Sequence, residues 1–218
     1  MALILLLQLA QLLIASSLLL SLLSDLVFVL IFNGELATSN MMFLTSGAYY
    51  GKIRWSKVFT ILLYCIFFNF VGALILSWFF NQSLSFNHLT DRSFLVTAVS
   101  TKLGQTDWMN FTEGITASMF VNLAILSYML LKEESAKIFI ALSAIFMFVF
   151  LVNEHLIANF TSFMLIGFNG VRNAVDNFTL ANILHQWVIV FFGNWIGGGI
   201  FIGLAYSWLN KTKTTHID

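Results

Sequence analysis

Charged residues are scarce in this chain of 218 residues, since Asp, Glu, Lys and Arg together make up 9% of it, whereas soluble domains carry about 25%. Proline is absent, so any break in a helix must come from glycine, asparagine or another polar residue. The single cysteine, Cys65, excludes an internal disulfide and a metal cluster built on cysteines. The formal net charge is zero, and therefore nothing in the charge favours a nucleic-acid partner.

Long apolar runs dominate the chain, because 59% of its residues are hydrophobic. A membrane-spanning helix needs about 20 apolar residues, and the runs 58–80, 111–131 and 186–209 each qualify. Two further spans look like helices split by polar residues. The runs 138–152 and 157–168 are separated by Asn153-Glu154-His155, and the runs 26–33 and 37–50 by Gly34-Glu35. The pattern predicts an all-α membrane protein with a single transmembrane domain over residues 1–218.

The two polar breaks belong to an internal repeat. Both contain Glu-x4-Asn, as Glu35 with Asn40 and as Glu154 with Asn159. Each is followed by a similar string, Asn69-Phe70-Val71-Gly72-Ala73 or Asn194-Trp195-Ile196-Gly197-Gly198. The half-repeats cover about 1–80 and about 111–209, and an odd number of spans between them predicts that they are inverted. Secondary transporters build a midplane site in this way, so the domain is predicted to be a transport domain.

The repeat is incomplete at the start of the chain. In the second half a complete span, centred near Asn122, precedes Glu154 by about 32 residues, whereas the same offset before Glu35 reaches Leu3. The first helix is therefore expected to be abbreviated or missing. Either residues 2–20 form a short span, or residues 2–33 form one long tilted helix. This segment has no basic region ahead of it, so a retained span is expected rather than a signal peptide.

Basic residues predict the orientation of the chain. Three lie on one side of the membrane, namely Arg92, Lys102 and Arg172, and the others all fall on the opposite side. The opposite side carries Lys52, Arg54, Lys57, Lys132, Lys137, Lys211 and Lys213. The more basic side is normally cytoplasmic. The sequence thus predicts an integral protein of the cytoplasmic membrane, in contact with lipid, with its C-terminus in the cytoplasm.

Polar groups in the two breaks are the candidates for function, because ionisable groups at membrane depth are costly. His155 is the one group there whose intrinsic chemistry allows proton exchange near neutral pH. Thr38 offers a hydroxyl in the first break. Glu35 and Glu154 are expected to stabilise the breaks by accepting hydrogen bonds from freed backbone N–H groups. A packing role for His155 and a neutral core role for Thr38 are the alternatives.

Other polar and aromatic residues have weaker claims. The amides of Asn122 and Asn159 either line a pore or clamp helices together. Phe148 precedes His155 by seven residues, or two helical turns, and is the best candidate to narrow a pore. The Asn-x-x-Gly and triple-glycine strings are expected to be packing surfaces without substrate contact. His88, His185 and His216 have no ligand-like spacing, so no metal, cofactor or enzymatic site is expected.

The two breaks, the loop Gly51-Lys52-Ile53-Arg54-Trp55 and the two Asn-x-x-Gly strings together resemble the formate–nitrite transporter family, from about Gly34 to Trp208. The resemblance implies an aquaporin-like bundle with two broken helices, assembled as a homopentamer with a pore in each subunit. It implies passage of small monovalent weak-acid anions, above all formate, and also nitrite, hydrosulfide, acetate or lactate.

The resemblance also implies roles for individual residues. His155 matches the central pore residue of the family, and Thr38 matches the threonine that faces it. Leu36 and Phe148 match constriction positions, while Asn122, Lys137 and Asn159 match polar positions that line or flank the pore. Ala37 stands where the family usually has a large aromatic residue, which is expected to widen the constriction.

Transfer of a bare anion from water into the apolar constrictions has a large cost in desolvation free energy. The hypothesis is therefore that the acid acquires a proton near Thr38 and His155. His155 would donate a hydrogen bond at rest and relay a proton transiently, and Lys137 would attract anions electrostatically. The alternatives are a non-conducting or regulatory membrane subunit, an intramembrane enzyme, and a channel for neutral solutes or water.

Overall fold

The computed structural model describes residues 34–87, 89–151 and 153–211. The expected first helix, over residues 2–33, and His88 and His216 lie outside the described residues. The described part is helical and contains no strand. Its α-helices are α1 (Ala37–Tyr49), α2 (Trp55–Asn81), α3 (Leu84–Asn87), α4 (Phe94–Gly104), α5 (Asp107–Leu130), α6 (Glu134–Phe150), α7 (Leu156–Phe168), α8 (Leu180–Asn194) and α9 (Ala205–Lys211). A 3₁₀ turn, Gly170–Ala174, lies before α8, and a π-helical segment, Trp195–Leu204, joins α8 to α9.

Within the described residues, three continuous helices are long and apolar enough to cross a membrane, as the sequence predicts. They are Trp55–Asn81, Asp107–Leu130 and Leu180–Lys211. The first of these buries only Val58, Leu62, Ala73 and Ser77, although most of its residues are apolar. A helix that is apolar all round yet exposed is suited to a hydrocarbon environment.

The polar character of segment 81–110, between the apolar runs 58–80 and 111–131, predicts a loop, but the structure has the helix α4 there. Thr97, Ser100, Thr101 and Lys102 make this segment look polar, and its apolar run is too short to span a membrane. However, Val96 and Val99 lie one turn apart and are fully buried in the apolar cluster that contains Phe163. Tertiary packing of one helical face thus stabilises a helix that hydropathy alone does not reveal.

The π-helical segment packs closely against α5, because glycines remove the side chains that would separate the two backbones. A Cβ atom added to Gly197 would lie 2.1 Å from the Ile115 carbonyl oxygen. One added to Gly198 would lie 2.4 Å from Asn122 Nδ2 and 2.6 Å from Ser118 Oγ. The packing role predicted for the triple-glycine string is therefore confirmed, and this string holds Asn122 beside the two breaks. In the other string, a Cβ atom added to Gly72 would meet no atom within 4 Å, so Gly72 marks no close approach.

Candidate functional site

The second break lies between the helices α6 and α7. The helix α6 ends at Phe150 and α7 begins at Leu156, and His155 has extended backbone angles, φ −124° and ψ 120°. Asn194 supplies the partners that the break lacks. Its Oδ1 accepts a hydrogen bond from the Leu156 N–H (2.9 Å), and its Nδ2 donates to the Glu154 carbonyl (3.0 Å) and to the Gly114 carbonyl (2.8 Å). One buried amide therefore satisfies both sides of the break.

The first break repeats this arrangement. Leu36 has extended angles, φ −103° and ψ 122°, immediately before α1. Asn69 Oδ1 accepts from the Ala37 N–H, and Asn69 Nδ2 donates to the Glu35 carbonyl, both at 2.9 Å. The sequence analysis assigns the Asn-x-x-Gly strings to helix packing. The structure adds a second role, because their asparagines bond the broken backbone directly.

The Glu-x4-Asn pattern forms the same contact twice. Asn40 Nδ2 donates to Glu35 Oε2, and Asn159 Nδ2 donates to Glu154 Oε2, each at 2.6 Å. The expectation that these carboxylates accept from freed backbone N–H groups is corrected here, because Asn69 and Asn194 bond that backbone. Each carboxylate instead ties its break to the first turn of the following helix.

The two carboxylates lie in different surroundings. Glu35 is exposed in the described part of the chain, whereas Glu154 is fully buried. Glu154 accepts from Lys102 Nζ (2.8 Å) and from Gln186 Nε2 (2.7 Å) in addition to Asn159. This set of donors compensates the charge of a carboxylate at this depth.

Thr38 and His155 meet where the two breaks approach each other. Thr38 Oγ1 lies 2.9 Å from His155 Nε2, and both residues are buried. The Ala158 N–H donates to His155 Nδ1 at 3.3 Å, so Nδ1 is an acceptor and the ring proton of a neutral imidazole is on Nε2. His155 therefore donates to the Thr38 hydroxyl, whose own proton is left available to a third group.

Two buried amide oxygens of neighbouring residues lack a partner among the described residues. Asn122 Nδ2 donates to the Thr38 carbonyl (3.2 Å) and to the Ser118 carbonyl (2.8 Å), but Asn122 Oδ1 has no partner in the described part of the chain. The same holds for the buried Oδ1 of Asn159, one turn after His155. Buried acceptors of this kind are rare in folded proteins and suit a site that exchanges water or a small polar molecule.

An apolar cluster borders the contact on one side. The Phe148 ring lies 5.5 Å from the His155 ring, centroid to centroid, at an interplanar angle of 64°. Leu36 and Phe148 both pack against the cluster of Met42, Val121 and Ile125. Ala37 is fully buried. The residues predicted to form constrictions thus lie next to the polar contact, and their role in narrowing a path stays a prediction.

Lys137 does not join the central group. Its Nζ pairs with Glu134 Oε1 (2.7 Å) and lies over the Tyr128 ring, near the start of α6. Lys137 precedes Phe150, the last residue of α6, by thirteen residues, or about 20 Å along the helix axis. This length of helix separates Lys137 from the second break.

The lysine that pairs with the second break is Lys102, which serves in the sequence only to predict orientation. It lies on α4, and its side chain is 12% exposed where it pairs with Glu154. The signal that could have identified it is a lone lysine in the apolar stretch Phe94–Gly104. Within the described residues, no group of three or more His, Cys, Asp and Glu side chains could hold a metal ion.

Comparison with known proteins identifies the family of the chain. The family model of the formate/nitrite transporter matches residues 16–208. The chain belongs to the formate/nitrite transporter family. Among its relatives are the nitrite transporter NirC of Escherichia coli K12, 32% identical over 182 residues, and the formate channel FocA of the same strain, 30% identical over 210 residues. These matches cover 83% and 88% of the chain, and 66% and 72% of the relatives, so the chain spans slightly less than two thirds of NirC.

Solved structures show the same fold. An FNT family ion channel matches 84% of the chain and 72% of its own length, with a TM-score of 0.77 and 28% identity. A pentameric formate channel with formate bound matches 91% of the chain and 85% of its own length, with a TM-score of 0.72 and 25% identity. The chain is therefore an integral membrane protein with the all-helical fold of this family.

Proposed function

We propose that this chain transports small monovalent weak acids, with formate and nitrite as the leading substrates, through a path of its own between the two helix breaks. The observation that carries the proposal is the Thr38–His155 contact, which places a hydroxyl and an imidazole where the breaks meet, beside Leu36 and Phe148. The names of the relatives support the substrate class, since they include nitrite transporters and formate channels.

The proposed mechanism follows from the cost of desolvation. An anion that leaves water for an apolar constriction loses its hydration shell, whereas the neutral acid loses much less. At the centre, the acid would exchange hydrogen bonds with the Thr38 hydroxyl, which already accepts the His155 Nε2–H. The unpaired Oδ1 atoms of Asn122 and Asn159 are acceptors, and they suit a solute that carries a proton better than a bare anion.

The hydrogen bonds of His155 bear on the proton relay. An imidazolium donates from both nitrogens, so protonation of Nδ1 would turn the Ala158 N–H···Nδ1 hydrogen bond into a contact between two donors. A transient relay through this ring would therefore have to break that hydrogen bond. We propose that His155 acts in its neutral form as a donor, and that the proton crosses with the acid.

Organisation and assembly are part of the proposal. The chain would form one transport domain over residues 1–218, with its C-terminus on the cytoplasmic side where seven basic residues lie. Five copies would assemble, by analogy with the pentameric formate channel whose fold it shares. The exposed apolar face of α2, with Leu63 and Phe68, suits contact with lipid or with a second copy.

The test is formate and nitrite uptake into proteoliposomes that contain the full chain, across a pH series. We expect uptake above protein-free vesicles that rises as pH falls, because more of the substrate is then neutral. His155→Asn removes the ring but keeps a polar side chain, and we expect uptake to fall at least about tenfold. A folded oligomer without uptake would instead indicate a non-conducting or regulatory subunit, and unchanged uptake in His155→Asn would contradict the role of the imidazole.

A further inference from the structure

A second polar site lies away from the Thr38–His155 contact. A cavity of about 280 Å³ opens between α4, the start of α5 and the start of α8, and its lining includes Lys102, Asn110 and Gln186. At its rim, His185 Nε2 lies 3.1 Å from both carboxylate oxygens of Asp107, and both side chains are largely exposed. The cavity therefore has a solvated rim, and its inner residues bond Glu154 in the second break.

Two residues of this lining, Asn110 and Gln105, carry a buried acceptor oxygen that has no partner in the described part of the protein, and Asn110 is the one that bonds the backbone of Lys102. It lies on the first turn of α5 and is 3% exposed. Its Nδ2 donates to the Lys102 carbonyl at 3.4 Å, which fixes the orientation of the amide. Its Oδ1 has no partner in the described part of the protein. An unpaired buried acceptor destabilises a fold unless a donor meets it.

Lys102 supplies the opposite kind of group. An ammonium has three N–H donors, and one of them bonds Glu154 Oε1 at 2.8 Å. Glu154 compensates the charge of Lys102, Glu113 lies near both and accepts a hydrogen bond from Gln105 of the lining, and Asp107 adds a negative charge at the rim. This lining therefore has no excess of positive charge. Such a lining offers a bare anion little attraction. A molecule that has both a donor and an acceptor can make two hydrogen bonds in this lining, one with the Asn110 oxygen and one with the Lys102 ammonium.

We propose that this cavity binds the small weak acid in its protonated form before the acid reaches the centre. The acid hydroxyl donates to Asn110 Oδ1, and the neighbouring oxo group accepts from Lys102 Nζ. Formic acid and nitrous acid both have a hydroxyl donor next to an oxygen acceptor, whereas their anions have acceptors alone. Asn110 thereby selects the protonated species. This inference rests on the proposed transport function and adds a binding position and a specificity residue to it.

The test measures the concentration dependence of formate uptake by the full chain in proteoliposomes between about pH 5 and about pH 7. In the wild type, KM should have the same value at every pH of the series when it is expressed as the concentration of protonated formic acid. Asn110→Leu has a similar volume and no acceptor, and we expect its KM to rise about fivefold with Vmax nearly unchanged. Asn173→Leu is the matched control, because Asn173 is an exposed asparagine away from this cavity, and its KM should be unchanged.

Each outcome decides between the alternatives. A KM that is the same at every pH when expressed as total formate would show that the site binds the anion, and it would overturn the inference. An unchanged KM in Asn110→Leu would overturn it as well. If Asn110→Leu fails to assemble in detergent, Asn110→Ser retains an acceptor oxygen at a greater distance, and it should raise KM about twofold; no change would again overturn the inference. Absence of uptake in the wild type contradicts the proposed function instead, so the two failures are distinguishable.

Discussion

Asn194 holds the second helix break through the same two hydrogen bonds by which Asn69 holds the first. In both cases Oδ1 accepts from the backbone N–H at the start of the following helix, and Nδ2 donates to the carbonyl of the glutamate in the break. The duplicated sequence therefore extends to matching atoms. Asn194 differs in being fully buried and in making a third bond, to the Gly114 carbonyl.

Replacement of Asn194 by Leu should destabilise the protein strongly. Three buried backbone groups lose their partner, and each unpaired group costs about 1–3 kcal/mol. Asn69→Leu is the matched control, because its side chain is only partly buried and two backbone groups are affected. Thermal unfolding in detergent, followed by tryptophan fluorescence, should give a much lower Tm for Asn194→Leu than for Asn69→Leu. Equal Tm values would contradict the account of the second break.

The Lys102–Glu154 ion pair should behave as a buried unit. Loss of one partner from a buried pair costs about 3–5 kcal/mol, because the other charge is left without compensation. We expect Lys102→Met to lower Tm more than the double variant Lys102→Met with Glu154→Gln, since the double variant buries no charge. The exposed pair of His185 and Asp107 provides the comparison, and Asp107→Asn should change Tm little. A double variant that is worse than Lys102→Met would contradict this prediction.

The close approach at Gly198 should not tolerate a methyl group. Its Cβ would meet Asn122 Nδ2 at 2.4 Å and Ser118 Oγ at 2.6 Å. Gly198→Ala should displace Asn122 from the Thr38 carbonyl, cost about 1–3 kcal/mol by overpacking, and reduce uptake. Gly72→Ala is the control, since a Cβ there meets no atom within 4 Å. Tm and uptake measured side by side would decide, and a neutral Gly198→Ala would count against the packing described here.

The sequence predicts the repeat well, because the apolar runs and the polar breaks each correspond directly to a structural element. Three of the apolar runs become long helices of the described part, and Asn153-Glu154-His155 becomes a non-helical segment before α7. The family resemblance implies that Thr38 faces His155, and the hydrogen bond between the two side chains agrees with it.

Other features depend on contacts that hydropathy cannot show. The helix α4 forms because Val96 and Val99 are buried in a cluster contributed by other helices, while its polar residues suggest a loop. Lys102 and Lys137 look alike in a count of basic residues, yet one pairs with buried Glu154 and the other with exposed Glu134. The backbone contacts of Asn194 are not predictable from the sequence alone. Helix packing by the glycines that follow Asn194 is already a sufficient reason for the string to occur in both halves.

The hydroxyl of Thr38 should matter more than its shape. Thr38→Val has nearly the same volume but leaves the His155 Nε2–H without an acceptor in the first break. We expect formate uptake to fall about tenfold in Thr38→Val and much less in Thr38→Ser, which keeps the oxygen. Initial uptake rates at equal protein density provide the comparison. Equal rates in the two variants would show that the hydroxyl takes no part.

The most direct test of the central claim, that substrate passes between the two breaks, uses the single cysteine of the chain. With Cys65→Ser as background, Thr38→Cys places one thiol beside His155, and Leu63→Cys places one on the exposed face of α2. Both variants are treated with a small methanethiosulfonate reagent, and mass spectrometry gives the fraction modified. We predict that formate uptake falls in proportion to modification at position 38 and is unaffected at position 63. A fully modified Thr38→Cys protein that transports at the unmodified rate would contradict the claim.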